Sequence, residues 1–147
     1  MSFKVSASGL EAQRIRMDVI ANNIANAQTT RTADGEPYRR RGVVFESVEG
    51  VKSRFFRMLT EAERTAALGG GVKVTRIVEQ QGDEAFIEVY DPTHPDADGR
   101  GIVRRPDIRV VDEIVNLIDA ARAYEANVTA LNATKQIAAK TLEIGRA

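Results

Sequence analysis

The chain has 147 residues, with 21 Lys plus Arg balanced by 21 Asp plus Glu. That neutrality gives no global attraction to nucleic acid or an anionic membrane and leaves protein as the expected partner class. With no cysteine, disulfides, thiol catalysis and Cys-ligated metal are excluded.

The first predicted element is an amphipathic helix. Leu10, Met17 and Ile24 recur every seven residues, Ile20 and Ala27 fill the same face, Phe3 extends the frame upstream, and Glu11, Arg14 and Asp18 lie opposite. It is expected to start at Ser8 and end between Gln28 and Thr30, where polar and β-branched residues gather. Met1 to Leu10 has neither the basic cluster nor the apolar core of a cleavable secretory signal, so none is expected. Near the helix end, Asn22, Asn23 and Asn26 lower helix propensity. The cluster reads either as a frayed, Asn-capped terminus or as amides set among small Ala residues for close contact with another chain.

From Thr30 to Pro106 the periodicity changes. Asp34-Gly35, Gly69-Gly70-Gly71, Asp91-Pro92, His94-Pro95 and Asp98-Gly99 mark turns. Four candidate strands, Tyr38 to Glu46, Val72 to Val78, Ala85 to Tyr90 and Ile102 to Arg104, are rich in Val, Ile, Phe and Tyr and predict one small sheet. Val51, Phe55, Leu59, Ala62 and Ala66 have helical spacing, so Val51 to Leu68 is read as helical.

The last third, Val110 to Leu142, predicts one long helix with a heptad seam. Its apolar positions are Val110, Leu117, Tyr124, Leu131 and Ala138, interleaved with Ile114, Ala121, Val128, Lys135 and Leu142; only Lys135 breaks the line. At 1.5 Å per residue such a helix is roughly 50 Å long. Gly145 stands where a left-handed C-terminal cap is expected. A helix with one narrow apolar stripe is not stable alone, so it requires partners. The helix from Leu10 to Ala27 supplies one, and the same helices of neighbouring chains would supply the rest.

No stretch assembles a reaction centre. Asp91 to Gly99 gathers three carboxylates and the single histidine, yet aligning Asp96, Asp98 and Gly99 to a Ca²⁺ loop puts His94 and Arg105 at the two end positions, where oxygen ligands are needed. It reads as a Pro- and Asp-stiffened turn, and neither a zinc site nor a nucleophilic relay follows from His94 alone. Arg39-Arg40-Arg41 after Tyr38 resembles a nucleic-acid patch, but with few aromatics in a neutral chain it is read as a solvated or subunit-contacting strand face. Gly69 to Lys73 lacks the spacing of a phosphate loop and reads as a flexible connection into a strand. No catalytic residue, metal or cofactor is expected.

Ala21-Asn22-Asn23-Ile24-Ala25-Asn26-Ala27, with Thr29, and the terminal helix carrying Arg122-Ala123-Tyr124-Glu125-Ala126-Asn127 resemble the signature of bacterial flagellar axial proteins of the rod and hook. Thr32 to Arg40, Val43-Val44-Phe45, Gly70-Gly71-Val72 and Tyr90 to Asp98 are similar to the proximal rod protein C family, and together these motifs span nearly the whole chain. The resemblance implies an α+β fold: residues 1–30 and 107–147 form a coiled-coil helical hairpin, and residues 31–106 a small β-rich insert. It further implies a structural subunit of the flagellar basal-body rod, spanning the periplasm and exported uncleaved by the flagellum-specific type III apparatus. Its partners would be its own copies, other rod proteins and the basal-body ring or adaptor proteins, with no nucleic acid, small-molecule substrate or membrane span. Leu10, Met17, Asn22, Asn23, Ile24, Asn26, Ile114, Leu117, Ala121, Tyr124, Val128, Leu131 and Leu142 are the expected assembly residues. Because the seam needs neighbours, the termini are expected to be largely unfolded in the free chain and to fold on assembly. The competing reading from another class is a cytoplasmic coiled-coil regulator or chaperone that dimerises through Val110 to Leu142.

Overall fold

The computed structural model describes residues 2–48 and 70–145. The helical reading of Val51 to Leu68 lies outside the described residues. Helix α1 spans Ser2–Ala25, strand β1 Arg41–Val48, β2 Gly71–Glu79, β3 Phe86–Tyr90, β4 Ile102–Pro106 and helix α2 Val110–Ile144. The fold is α+β, with a helix at each end and β structure between.

The two helices are antiparallel neighbours. Near its end, α1 meets the start of α2 through Asn23 and Glu113, while Gly9 near its start meets Asn127. In that register a residue of α1 faces the residue of α2 whose number makes the same sum, so the beginning of α1 lies opposite the mid-130s. The residues of α2 from Lys135 to Ile144 extend beyond α1, an overhang of roughly 15 Å at 1.5 Å per residue. Small residues let the helices approach: Ser6, Gly9 and Ala12 are buried on α1, and Ala120 on α2. A Cβ on Gly9 would lie 2.7 Å from Asn127 Oδ1, so a side chain at this crossing would have to push the Asn127 amide aside.

That close approach rotates the seam. The α2 residues turned furthest inward are Glu113 and Ala120, with Asn127 and Thr134 half-buried on the same heptad line. Leu117, Tyr124 and Leu131 are half-buried. The interleaved line from Ile114 to Leu142 lies to one side. Gly145 is a correction, since it adopts right-handed angles (φ −75°, ψ −7°) and its N–H bonds Thr141 O at 3.1 Å, continuing the helical turn.

The β1–β2 hairpin is laid along α1 and held at both ends. At one end Asn23 Oδ1 accepts from Arg41 N–H (2.9 Å) and Nδ2 donates to Arg41 O (2.8 Å), so the side-chain amide serves Arg41 as a neighbouring strand would. This pairing places the start of β1 at Arg41, three residues after the predicted Tyr38. At the other end Ser8 Oγ accepts from Val72 N–H at 3.1 Å. Gly71, at φ 110°, passes so close to Ser8 that a Cβ would overlap its hydroxyl. The predicted connection from Gly70 into β2 is therefore a fixed contact with α1, with Gly70 N–H also bonding Val48 O at 2.6 Å.

In place of one sheet there are two antiparallel hairpins, β1–β2 and β3–β4. Gln80 to Ala85 separates them with a bend and a short 3₁₀ turn at Asp83–Ala85, so β2 and β3 never align. Arg39 bridges the gap. Its guanidinium reaches Gln80 O at 3.4 Å and sits 4.6 Å from the centre of the Phe86 ring, which Arg104 also approaches at 4.8 Å. Ala85, Val103 and Pro106 fill the small core beneath β3–β4.

Candidate functional site

Two features stand out: a buried polar junction where three segments meet, and apolar helix surface that the chain leaves uncovered.

The junction is built on Glu113, in the first turn of α2, whose residue is 1% exposed. Its position in sequence marks it only as an acid near a helix N-terminus, where the dipole favours negative charge. The antiparallel register carries it onto the end of α1 and the approach to β1. Arg40 Nε and Nη2 both donate to Glu113 Oε1, at 2.9 and 2.6 Å, and Asn23 Nδ2 donates to Oε2 at 3.0 Å. Each carboxylate oxygen thus has a partner, as a charge withdrawn from water requires. Tyr38, 8% exposed, donates its hydroxyl to Asn23 Oδ1 at 3.1 Å. Burial pushes the Tyr38 phenol above its ordinary pKa against the opposing pull of Arg41, so it stays neutral and remains a donor.

Asn23 is therefore corrected from the sequence reading. Its amide makes four hydrogen bonds inside its own chain, to Arg41 N and O, Glu113 and Tyr38. Asn22 and Asn26 bond backward along the helix, to Asp18 O and Asn22 O at 2.8 and 2.9 Å, and Thr29 Oγ1 donates to Asn26 Oδ1. The Asn cluster therefore ends the helix and binds the insert. The arginine run stays partly solvated while it pairs within the chain, Arg39 with Glu36, Arg40 with Glu113 and Arg41 with Glu79.

The Asp91 to Gly99 segment is a turn whose carboxylates are occupied by the chain itself. Asp91 Oδ1 accepts from Thr93 Oγ1, Asp98 Oδ1 accepts from the N–H groups of Arg100 and Ile102, and Asp96 accepts from Thr30 Oγ1. These bonds hold the Asp91 and Asp98 carboxyls below their ordinary pKa, Thr93 being the main cause for Asp91 and the Ile102 amide for Asp98. Among the described residues no cluster of three or more His, Asp or Glu is placed to hold a metal ion.

The other expected assembly residues fall into two groups. Leu10, Met17, Ile24, Leu117, Ala121, Tyr124, Val128 and Leu131 are half-buried. Ile114 and Leu142 are exposed, at 45% and 70%. Sequence reasoning missed Val111, Val115 and Ile118, which with Ile114 form an exposed stripe on α2. It missed Glu113, Arg40 and Tyr38 too. The available signal was the heptad line Glu113, Ala120, Asn127 and Thr134, whose small and polar residues mark the closest approach of two helices.

A terminal helix pair closed by a polar lock, with an inserted β region and surplus apolar helix surface, suits a subunit of a larger structure. Residues 3–31, which are α1 and the turn after it, match the family described as flagella basal body rod protein. Residues 100–144, containing β4 and all of α2, match the family described as flagellar basal body rod FlgEFG protein C-terminal. The chain is similar to flagellar basal-body rod protein FlgC of Bacillus subtilis, 46% identical over 99% of this chain and 97% of that one. The same protein of Aquifex aeolicus is 42% identical over 95% and 91%, and that of Escherichia coli O6:H1 is 40% identical over 98% and 96%. The chain belongs to the FlgC family of flagellar basal-body rod proteins. It is a structural protein of the basal body and not an enzyme. Among the described residues, no helix is long and apolar enough to cross a membrane.

Proposed function

We propose that this chain polymerises through α1 and α2, with its own copies and with other rod proteins, into a hollow shaft that surrounds the export channel and transmits torque. In this reading residues 1–30 and 107–147 form the axial layer and residues 31–106 an outer layer. The chain is exported uncleaved through the type III apparatus, spans the periplasm as part of the rod, and meets ring or adaptor proteins at the rod base.

The observation that carries the reading is the overhang of α2. Ile137, Leu142 and Ile144 are 67%, 70% and 78% exposed on a helix that has outrun its own-chain partner. A segment of that kind gains its burial from a neighbour. The overhang therefore folds fully on assembly, while the part of α2 locked by Glu113 is already ordered in the free chain.

Leu131→Asp and Leu142→Asp test the role. Leu131 packs within the chain, whereas Leu142 lies on the overhang, so the second variant separates assembly from folding. Both strains are expected to lose swimming while the protein is still exported. Normal swimming by both would overturn the proposal.

A further inference from the structure

We infer that a cleft between α1, β1 and the start of α2 receives the exposed α2 stripe of a second copy of this chain, in a head-to-tail contact. The inference rests on the rod reading, because it assumes that copies lie side by side.

The cleft encloses about 350 Å³. Its apolar lining comes from Val19 and Ile20 of α1 and from Val43 and Phe45 of β1. Three arginines reach it, and two are already committed: Arg40 to Glu113 and Arg41 to Glu79. Arg16 is half-exposed and makes no ion pair or hydrogen bond among the described residues. The site is thus a slot with an apolar wall of Val19, Ile20, Val43 and Phe45 and a polar wall of Arg40, Arg41, Glu113 and Asn116. Arg16 is its one cation without an ion pair among the described residues. The apolar wall fits an apolar ridge, and Arg16 fits an acid flanking that ridge.

The chain carries such a ridge. Val111, Ile114, Val115 and Ile118 are 72%, 45%, 54% and 47% exposed. At the helical repeat they fall within an arc of roughly 100°. Two acids are near. Asp112 is bound to Arg109 at 2.8 Å, whereas Asp119, next to Ile118, is exposed and makes no ion pair among the described residues. Asp119 of one copy is therefore the counter-charge for Arg16 of the next.

The same helical arithmetic sets the symmetry. The stripe is centred roughly 160° around α2 from Glu113 and Ala120, the side that faces α1 and the cleft. Slot and ridge are different surfaces pointing different ways, so each copy has one of each to offer. Their contact is heterologous, and it propagates into a ring or an open helix instead of closing as a twofold dimer.

The natural chain has no cysteine, so introduced thiols report without background. Val43→Cys and Val115→Cys place one thiol in the slot and one on the ridge while leaving Arg16 and Asp119 intact. Basal bodies from a strain carrying both substitutions, treated with a short bismaleimide, are expected to yield covalent dimers and higher multiples. Each single substitution is expected to yield monomer only. If the doubly substituted chain is present in basal bodies and stays monomeric, the contact is wrong and the rod role stands. If the natural chain is absent from basal bodies, the rod reading falls and takes this inference with it. A charge exchange gives an independent arm: Arg16→Glu and Asp119→Arg each reduce swimming, and the two combined restore it. Failure of the combination to restore swimming overturns the pairing.

Discussion

Replacing Arg40 by Ala removes two of the three hydrogen bonds that hold the buried Glu113 carboxylate and leaves Asn23 as its remaining side-chain donor. Breaking a fully buried ion pair by deleting one partner costs about 3 to 5 kcal/mol. Here the Arg40 side chain is 41% exposed against 2% for Glu113, so water can follow the deleted guanidinium to one carboxylate oxygen. The expected loss is therefore about 2 to 3 kcal/mol. Glu113→Gln keeps the shape, allows the bond from Asn23 to an amide oxygen, and costs less. In the double variant the penalty of the unpaired charge disappears, so the two losses are sub-additive by about 1 to 2 kcal/mol. Urea unfolding followed by far-ultraviolet circular dichroism measures all four corners of this cycle. A loss below about 0.5 kcal/mol for Arg40→Ala, the range of ordinary surface substitutions, would refute the claim that this pair locks the insert to the helices.

Hydrogen exchange on the purified chain should be graded along α2, slow from Glu113 to Tyr124 and fast from Lys135 to Ile144; strong protection throughout would contradict assembly-coupled folding of the overhang. The Asp98 carboxyl is held below its ordinary pKa chiefly by the Ile102 amide. Its contribution is fully present above the unfolded value near pH 4 and is lost as pH falls through the lower folded value, so the β3–β4 turn should loosen only below about pH 4. Asp98→Asn should remove that acid response. An Ile102 amide that exchanges with the same acid dependence in both proteins would exclude the mechanism.

Periodicity was sufficient for the helices because each carries a long repeated pattern that no Pro interrupts: α2 begins at the predicted Val110, and α1 extends upstream of Ser8 through the frame Phe3 had indicated. Strand positions were readable from β-branched residues bounded by turns, but their grouping was not. The break between hairpins depends on Gln80 to Ala85 and on Arg39 spanning it, and neither has a local signature. The rotated seam was hidden for a related reason. The apolar pattern points inward, whereas Gly9, Ala12 and Ala120 bring the helices close enough that Glu113 takes the interior, Asn127 is half-buried against Gly9, and Ile114 is displaced outward. A buried Glu can be anticipated only when its partners are known. Arg40 and Asn23 lie 73 and 90 residues away from it in sequence. The Asn cluster drew attention for its cost in helix propensity, but only the fold shows that Asn23 serves its own chain.

The central claim is that α1 and α2 form the axial layer of the rod and that neighbouring subunits cover the apolar surface left bare in one chain. An electron cryomicroscopy map of the basal body, resolved well enough to trace this chain, tests it directly. The predicted result places both helices beside the central channel, the two β hairpins further out, and neighbouring chains against Val111 to Ile118 and Ile137 to Ile144. A map with the β hairpins lining the channel, or with those two apolar segments facing solvent, would contradict the account.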